Sequence, residues 1–284
     1  MPRAFVRAVL AGAAVMAAVL IGFWLARTPE AVTGPGAFNP AHFVQGRPDL
    51  DAPYVVTDYE VVDAMLALAE VRPDNVVLDL GSGDGRILIA AARSHGARGL
   101  GVDIDPARIR ESNANAQAAG VASRVAFRRQ DLFQTPLSEA DVLTLYLAPD
   151  VNLRLRPRIL AEMRPGTRVV SHDFDMGDWR WDRRERIGSA TIYLWVVPAR
   201  VAGRWTVTTE GRTATLDFEQ RFQQVDGSAT VDGRTARVEQ GRMAGDVVSF
   251  IADLGDGRRP FEGRVTGNRI VPVAGAGWQA LRAG

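Results

Sequence analysis

The spacing of apolar residues divides the chain into a region of alternating strands and helices and a region of short strands alone. Between residues 58 and 197, short apolar runs are followed by segments whose apolar positions recur at helical spacing. Strands are predicted at 76–80, 99–102, 125–128, 142–147 and 168–171, and helices from 58 onward, through 87–93, and at 106–119 and 152–163. Two further runs, around 185 and at 191–197, are predicted as antiparallel strands. This order predicts an α/β fold, with a largely parallel sheet and helices on both faces.

After Pro198 the pattern changes to short alternating strands that are separated by glycine-containing turns. Asp-Gly pairs at 226–227, 232–233 and 256–257 are typical of β-hairpins. Seven strands are predicted, at 205–209, 213–218, 229–231, 236–239, 247–252, 261–265 and 269–273. We therefore expect residues 199–284 to form a small antiparallel all-β domain, either a barrel or a sandwich, that carries no catalytic constellation and serves packing or docking.

An uncharged apolar run covers residues 8–26 and is flanked by arginines. Its 19 residues lie within the roughly 17–25 that a membrane-spanning helix needs. A cleaved signal peptide is the main alternative, but Trp24 stands near the end of the run, where such peptides carry small residues. The sequence thus predicts an N-terminal membrane helix, an anchor at 1–27, followed by a linker at 28–52.

All 34 basic side chains are arginines, and 33 acidic side chains nearly balance them, so that the net charge is +1. A near-neutral chain without a basic stripe predicts no nucleic-acid partner. The chain has no cysteine, which excludes disulfides and zinc–cysteine sites, and no other metal site is predicted. Candidate chemistry therefore has to come from the turns that follow the predicted strands.

A glycine-rich turn follows the first predicted strand. Gly81, Gly83 and Gly85 come after Asp79 in the sequence VLDLGSGDGR, and glycine lets the backbone turn tightly and approach a ligand closely. Dinucleotide-binding folds use a G-x-G-x-x-G turn, whose last glycine would stand where this chain has Arg86. The spacing therefore argues against a pyrophosphate site and leaves a nicotinamide-dependent dehydrogenase as a distant alternative.

Two further acidic residues follow the next two strands. Asp103 lies 24 residues after Asp79, in the region where a carboxylate meets ribose hydroxyls in nucleotide-binding folds. Asp131 closes the third strand and suits an adenine amino group. Because the carboxyl ends of parallel strands share one edge of a sheet, the three acids are expected to surround one crevice. Their charge favours a cationic sulfonium ligand.

This set of motifs resembles the class I S-adenosylmethionine-dependent methyltransferases over residues 53–197. The resemblance implies a Rossmann-like, seven-stranded methyltransferase sheet and S-adenosyl-L-methionine as the cofactor. It also implies six cofactor-binding residues, of which the first four line the methionine and sulfonium side and the last two take the ribose and the adenine: Asp79, Gly81, Gly83, Gly85, Asp103 and Asp131.

Three shorter motifs narrow the resemblance: PYVVT at 53–57, YLAP at 146–149 and SHDF at 171–174. Together with the upstream apolar run, they resemble the family of the mitochondrial ATP synthase c-subunit lysine methyltransferase and its prokaryotic relatives. Position 56 departs from that family, which often has proline where this chain has Val56. The resemblance implies a methyltransferase domain at 53–198 that methylates a lysine of a membrane or membrane-associated protein.

Methyl transfer from a sulfonium needs neither a catalytic triad nor a metal, because the nucleophile belongs to the acceptor and the enzyme aligns it and excludes water. A lysine acceptor must lose a proton, and a dry aromatic channel lowers its pKa from about 10.4. Tyr54 and Tyr146 are the predicted walls of that channel. His172 and Asp173 are the predicted proton acceptors, directly or through water.

Two other functions fit the same sequence. In one, the methyl acceptor is a lipid or another small molecule, and in the other the chain binds the cofactor as a membrane scaffold without turnover. The membrane orientation is a further open point, since the arginines around the apolar run weakly place the N-terminus in the cytoplasm and the rest of the chain outside. We expect a cytoplasmic catalytic domain instead, because S-adenosylmethionine is found there.

Overall fold

The computed structural model describes residues 56–209, 211–275 and 277–283. The predicted anchor at 1–27, the linker at 28–52 and the candidate wall residue Tyr54 therefore lie outside the described residues. Within the described residues, no helix has the length and apolar character needed to cross a membrane.

The first half of the described chain forms a mixed sheet of seven strands. Its helices are α1 (Tyr59–Leu68), α2 (Arg86–His95), α3 (Pro106–Ala118) and α4 (Pro149–Glu162). Its strands are β1 (Val76–Leu80), β2 (Arg98–Asp103), β3 (Val125–Arg129), β4 (Val142–Leu145), β5 (Arg168–His172), β6 (Arg183–Ile187) and β7 (Ala190–Val196). The strand order is β3-β2-β1-β4-β5-β7-β6, with β1 to β5 parallel and β7 antiparallel to both of its neighbours. The predicted α/β sheet is confirmed.

Both faces of this sheet are covered at its centre, which explains why the central strands β1 and β4 are largely apolar at consecutive positions. Successive side chains of a strand point to opposite faces. Accordingly, Val77 belongs to the hydrophobic core that α1, α2 and α3 form on one face, whereas Leu78 belongs to the core that α4 forms on the other. The parallel order places the carboxyl ends of β1 to β5 along one edge, where a ligand crevice is expected.

The strand predicted at 142–147 is shorter in the structure, because β4 ends at Leu145. Ala148 takes an extended conformation at the N-terminus of α4, with Pro149 as the first helical residue. A residue before proline is held in such a conformation, and proline suits the first turn of a helix. Tyr146 thus lies beyond the strand, at the carboxyl edge of the sheet, and not inside the apolar strand.

The second half of the described chain forms an antiparallel sheet of nine strands. They are β8 (Gly203–Thr209), β9 (Arg212–Arg221), β10 (Gln224–Val231), β11 (Arg234–Arg237), β12 (Glu239–Ala244), β13 (Val247–Asp253), β14 (Arg258–Thr266), β15 (Arg269–Pro272) and β16 (Trp278–Arg282). The seven-strand prediction missed β12 and β16. Because β16 pairs with β8, and β10 pairs with β9 as well as with β12, the sheet closes on itself as a barrel. The predicted alternative of a sandwich is therefore wrong, because a sandwich consists of two stacked sheets and this region forms one closed sheet.

Contacts around Trp179 join the two sheets within one compact unit. The Trp179 side chain is fully buried, and its indole N–H donates to Oε1 of Gln223 at 2.9 Å. The Gln223 amide in turn donates to Asp182 Oδ2 at 2.7 Å, and the Phe222 ring stacks on Trp179 with centroids 6.0 Å apart. These contacts bind the barrel closely to the α/β sheet, and the domain boundary at 198 stays a prediction.

We expect Trp179→Ala to lower the free energy of unfolding by about 3–5 kcal/mol, since it empties a large buried volume and leaves Gln223 without its indole partner. Urea denaturation followed by circular dichroism measures this loss. The matched control is Trp181→Ala, because Trp181 is only half-buried and should cost much less. Equal losses in the two variants would contradict the interpretation that Trp179 joins the sheets.

Candidate active site

The glycine-rich loop after β1 is held in a shape that glycine alone adopts without strain. Gly81, Gly83 and Gly85 have φ values of +80°, +51° and +83°. The N–H groups of Gly81 and Ser82 both donate to the Val102 carbonyl at 2.9 Å, which folds the loop back over β2. A Cβ atom at Gly85 would stand 2.6 Å from the ring of a neighbouring phenylalanine. The loop is therefore closely packed against Phe127 of β3 and Ser112 of α3.

Asp103, at the end of β2, ties this loop to the start of α3. Its Oδ2 accepts the Gly83 N–H at 3.0 Å, and its Oδ1 accepts the Asp105 N–H at 2.9 Å. Burial raises the pKa of Asp103, while these two hydrogen bonds oppose the increase. Each carboxylate oxygen keeps a further lone pair, so that Asp103 can accept hydrogen bonds from a diol at the same time.

Asp131 lies two residues beyond the end of β3, the strand next to β2. Its Oδ1 accepts the Phe133 N–H at 2.8 Å and thereby caps a short 3-10 helix, Leu132–Gln134. The N–H of Gln130 donates to the Asp103 carbonyl at 3.1 Å, so the ends of β2 and β3 adjoin. The structure thus places Asp131 beside Asp103, at the edge where the three predicted acids were expected to meet.

Asp79 is the most deeply buried of the three acids, with 2% of its surface exposed. The Thr144 hydroxyl on β4 donates to its Oδ1 at 2.7 Å. Burial raises the pKa of Asp79 to about 7, and the charges of Asp103 and Asp84 add to the increase. Near neutral pH this carboxyl is therefore partly protonated, whereas an ordinary aspartate is ionised.

We expect Asp79→Asn to remove a pH dependence of stability. Between its ordinary pKa of 3.8 and the folded value of about 7, the Asp79 carboxyl is protonated in the folded chain and ionised in the unfolded chain. The free energy of unfolding of the wild type should therefore fall as pH rises through this window, by up to about 1.4 kcal/mol per pH unit. The uncharged variant keeps an oxygen for the Thr144 hydroxyl and should lose that slope.

Urea denaturation between about pH 4 and about pH 8 tests the expected difference. The variant and the wild type should be similarly stable at the acidic end, and the variant should be the more stable protein at the alkaline end. Parallel curves for the two proteins would show that Asp79 ionises at its ordinary pKa.

Two features of this edge that sequence reasoning missed also fit a nucleoside ligand. The Ser82 hydroxyl is buried in the glycine-rich loop and has no hydrogen-bond partner among the described residues. Ile104, directly after Asp103, exposes 49% of its surface although it is a large apolar residue. An exposed apolar side chain beside a diol-binding carboxylate suits the flat face of a base. In the sequence, the position of Ile104 directly after Asp103 was the one indication that it belongs to the site.

The second part of the site lies at the ends of β4 and β5. Leu145 and Ser171 are register partners on these strands, so the residues that follow them, Tyr146 and His172, become neighbours. Their rings stack with centroids 3.9 Å apart and an interplanar angle of 28°. The ring of Phe174, to which sequence reasoning assigned no role, stacks on Tyr146 with centroids 6.3 Å apart and an interplanar angle of 18°. These side chains form an aromatic wall.

His172 is buried, and each of its ring nitrogens faces a protein group. Nδ1 lies 3.1 Å from the Thr57 hydroxyl oxygen, and Nε2 lies 3.5 Å from Asp173 Oδ2. Burial lowers the pKa of His172, although the charges of Asp173 and Asp58 act in the opposite direction. The imidazole is therefore neutral at neutral pH.

Asp173 is fixed in an unusual backbone conformation, with a φ of +59°. Its N–H donates to the Thr191 carbonyl at 2.7 Å, and its Oδ1 accepts the Thr191 N–H at 2.8 Å. Left-handed backbone in a residue other than glycine costs free energy and is concentrated at functional sites. The cost is offset here by two hydrogen bonds to β7, which aim the second carboxylate oxygen toward His172.

The potential around the aromatic wall is negative. Burial raises the pKa of the Tyr146 hydroxyl, and the charges of Asp173 and Asp58 raise it further. Both carboxylates therefore act on Tyr146 as well as on His172. The sequence analysis had not assigned Asp58 to the site. A pocket with aromatic walls and two carboxylates suits a cationic or amine group.

Comparisons with known proteins agree with this geometry. A family model described as the ANTKMT methyltransferase domain matches residues 79–183. A protein-lysine N-methyltransferase from Saccharolobus islandicus (strain REY15A) is 41% identical over 150 residues, which cover 51% of this chain and 93% of that protein. The chain belongs to this methyltransferase family. The resemblance inferred from the three short motifs is thereby confirmed.

Two further known proteins are similar to this methyltransferase. The ATP synthase c-subunit lysine N-methyltransferase from Homo sapiens is 27% identical over 143 residues, which cover 50% of this chain and 60% of that protein. The crystal structure of an RNA methyltransferase from Salinibacter ruber in complex with S-adenosyl-L-homocysteine is 53% identical and has a TM-score of 0.51. The matched region covers 52% of this chain and 96% of the Salinibacter ruber protein.

The methyltransferase uses S-adenosyl-L-methionine as its methyl donor, which confirms the predicted cofactor. When bound, this cofactor supplies a methyl group on an electrophilic sulfonium. The residues at the carboxyl edge fit it, because Ser82 and Asp103 offer polar atoms for its hydroxyls and amine. The structure brings all six predicted cofactor-binding residues to the ends of β1, β2 and β3. Their individual contacts stay predictions.

Proposed function

We propose that this methyltransferase transfers a methyl group to the side-chain amine of a lysine in a protein. The observation that carries the proposal is the cluster of aromatic rings and carboxylates at the ends of β4 and β5, which we call the acceptor pocket. A lysine ammonium is attracted by the carboxylates of Asp58 and Asp173, and its alkyl stem fits against the rings of Tyr146 and Phe174. The names of the relatives from Saccharolobus islandicus and Homo sapiens support the same acceptor.

The reaction requires a neutral amine that is aligned with the methyl group. A bond forms between the lysine nitrogen and the methyl carbon, the sulfur–carbon bond breaks, and the nitrogen gives up a proton. Asp173 holds the ammonium by its charge and accepts this proton directly or through water. The aromatic wall excludes bulk water, which disfavours the charged amine and strengthens the alignment. Tyr54 remains a candidate for the opposite wall.

For His172 we propose a positioning role in place of the predicted proton acceptance. Its Nε2 faces Asp173 and its Nδ1 faces Thr57, so neither nitrogen is directed at an acceptor without displacing a protein partner. We therefore assign proton acceptance to Asp173, whose side chain is 37% exposed. His172 supports Tyr146 by stacking and orients the Asp173 carboxylate.

A second candidate acceptor is RNA, which the name of the Salinibacter ruber structure favours at 53% identity. The charge of the pocket argues against it. RNA-binding sites need cations to neutralise phosphates, whereas the described acceptor edge carries the carboxylates of Asp58 and Asp173. A lipid or small-molecule acceptor is the third class, and it would need a fit that none of the described contacts specifies.

The proposal extends to a membrane-associated protein substrate. The apolar run at 8–26 would anchor the chain, and the catalytic domain would face the cytoplasm. Fractionation of cells that express the full chain, or a chain without residues 1–27, tests the anchor. Membrane association that survives the deletion would remove the anchor from the proposal, and a C-terminal reporter that is active only outside the cell would reverse the orientation.

The deciding experiment uses the purified full chain, methyl-labelled S-adenosylmethionine and an extract from cells that lack the protein. Because the chain contains no lysine, lysine automethylation cannot contribute to the signal. The extract is separated into protein, RNA and lipid. Asp103→Ala, which is expected to bind the cofactor more weakly, serves as the control at a cofactor concentration that saturates only the wild type. Label in protein that acid hydrolysis recovers as methyl-lysine supports the proposal. Label in RNA or lipid replaces it, and cofactor binding without any labelled product favours a scaffold.

A further inference from the structure

Arg86 links the glycine-rich loop to the segment before α1. It is the first residue of α2, and its guanidinium binds both carboxylate oxygens of Asp84, through Nε at 3.0 Å and Nη2 at 2.6 Å. Its third nitrogen, Nη1, donates to the Thr57 carbonyl at 2.7 Å. The guanidinium also lies 5.2 Å from the ring centroid of Tyr59. One side chain thus holds the loop and the segment together.

Thr57 continues this connection into the acceptor pocket. While its carbonyl accepts from Arg86, its buried hydroxyl lies 3.1 Å from Nδ1 of His172. His172 in turn stacks on Tyr146. A chain of direct contacts therefore runs from the cofactor loop to the aromatic wall. We call residues 56–58, through which the chain of contacts passes, the strap.

We propose that Arg86 and Thr57 are positioning residues, which hold the strap so that His172 presents Tyr146 and Asp173 to the methyl acceptor. This inference rests on the proposed function, because it assigns the acceptor pocket as the site of transfer. It explains why position 86 carries arginine, where a dinucleotide-binding turn has glycine. A residue without donors at 86 would remove the hydrogen bonds that Arg86 makes to Thr57 and Asp84.

The geometry of these contacts favours one form of His172. A proton on Nε2 is favoured by the Asp173 carboxylate that faces it, which leaves Nδ1 to accept from the Thr57 hydroxyl. Asp58, on the strap itself, adds to the negative potential. The Arg86–Asp84 pair is shielded, since the two side chains are only 17% and 15% exposed. A bidentate, largely buried pair of this kind is more rigid than a pair of surface charges.

The first test reads His172 without any substrate. The chain has three histidines, and comparison with His172→Gln assigns the imidazole ¹⁵N signals of His172 in a labelled full-length protein. Thr57→Val should shift the Nδ1 signal, because it removes the hydroxyl at similar volume, and Thr57→Ser should not. Arg86→Met should produce the same shift as Thr57→Val. The matched control is Arg93→Met, which changes an exposed arginine of the same helix and should leave the signal unchanged.

The second test measures methyl transfer to the labelled protein substrate. Thr57→Val should lower kcat about 10-fold, because it removes one hydrogen bond. The affinity for S-adenosylmethionine should change little, and Thr57→Ser should restore kcat. Arg86→Met should lower kcat and weaken cofactor binding together, since it also releases Asp84. Unfolding curves for each variant establish that the fold is retained.

The outcomes separate this inference from the proposed function. Unchanged His172 signals in Thr57→Val and Arg86→Met would overturn the strap, and so would shifted signals without any change in kcat. The signals could instead shift as expected while the wild type methylates no protein. The contacts through the strap would then be confirmed, but the proposed function would be overturned, and with it the positioning of a lysine acceptor.

Discussion

Asp173→Asn should lower kcat for a lysine acceptor by on the order of 100-fold, the usual contribution of a group that accepts a proton in the reaction. The substitution keeps the size of the side chain and its contact with Thr191. Asparagine tolerates the φ of +59° that Asp173 adopts, and its side-chain oxygen can still accept the Thr191 N–H. The charge and the capacity to take up a proton are lost, and an amide nitrogen replaces the oxygen that faces Nε2 of His172. Steady-state kinetics with a lysine-containing peptide or protein substrate measure the effect.

The pH dependence of this variant tests whether Asp173 acts on the protonated form of the acceptor. As pH approaches the lysine pKa of about 10.4, the acceptor loses its proton in solution and no longer needs Asp173 for that purpose. The difference in kcat/KM between the variant and the wild type should therefore shrink at alkaline pH. The matched control is Asp175→Asn, two residues along in an exposed turn, where Asp175 accepts the Gly177 N–H. A constant difference across pH, or a similar loss in the control, would contradict the assignment.

Asp103→Ala should raise the dissociation constant for S-adenosylmethionine by about 100-fold. The carboxylate is expected to accept two hydrogen bonds from the ribose, each contributing roughly 1.5 kcal/mol when the acceptor is charged. The substitution also releases the N–H groups of Gly83 and Asp105, which loosens the glycine-rich loop. Isothermal titration calorimetry with S-adenosylmethionine and with S-adenosylhomocysteine measures the loss.

A second aspartate provides the control for this loss. Asp141 accepts the Val76 N–H at 2.8 Å and pairs with Arg164, but it does so at the amino ends of β1 and β4, on the opposite edge of the sheet. Asp141→Ala should therefore lower stability while cofactor affinity stays within about two-fold of the wild type. Cofactor affinity that falls equally in both variants would show that general destabilisation, and not the ribose contact, accounts for the effect of Asp103→Ala.

Local patterns were enough to predict much of the α/β sheet. The bounds of β1 agree with the prediction, because a buried parallel strand is a short apolar run that ends where the glycines begin. The acids at the ends of β1, β2 and β3 were predictable for the same reason, since each lies at or just beyond the end of such a run. In the barrel, by contrast, β12 and β16 were missed. The sequence of β12, EQGRMA, has no regular alternation, and only its pairing with β13 and β10 makes it a strand.

The arrangement of the acceptor pocket could not be predicted from local sequence patterns. Thr57 and His172 are 115 residues apart and meet only because α1 packs against β5 and β7. Tyr146 was placed inside a strand, whereas the structure places it beyond the strand, since Pro149 starts a helix there. The contribution of Asp58 became visible only once the strap lay beside the Tyr146–His172 stack.

The sequence by itself determined the family, the cofactor and the edge of the sheet where the chemistry takes place, because these depend on short motifs whose spacing along the chain is fixed. The tertiary structure alone decided which side chains share the acceptor pocket, how far burial shifts the pKa of Asp79, and that the β16 and β8 strands close the barrel. These features depend on distances between residues far apart in the chain and on the exclusion of water, and both arise only when the elements pack together.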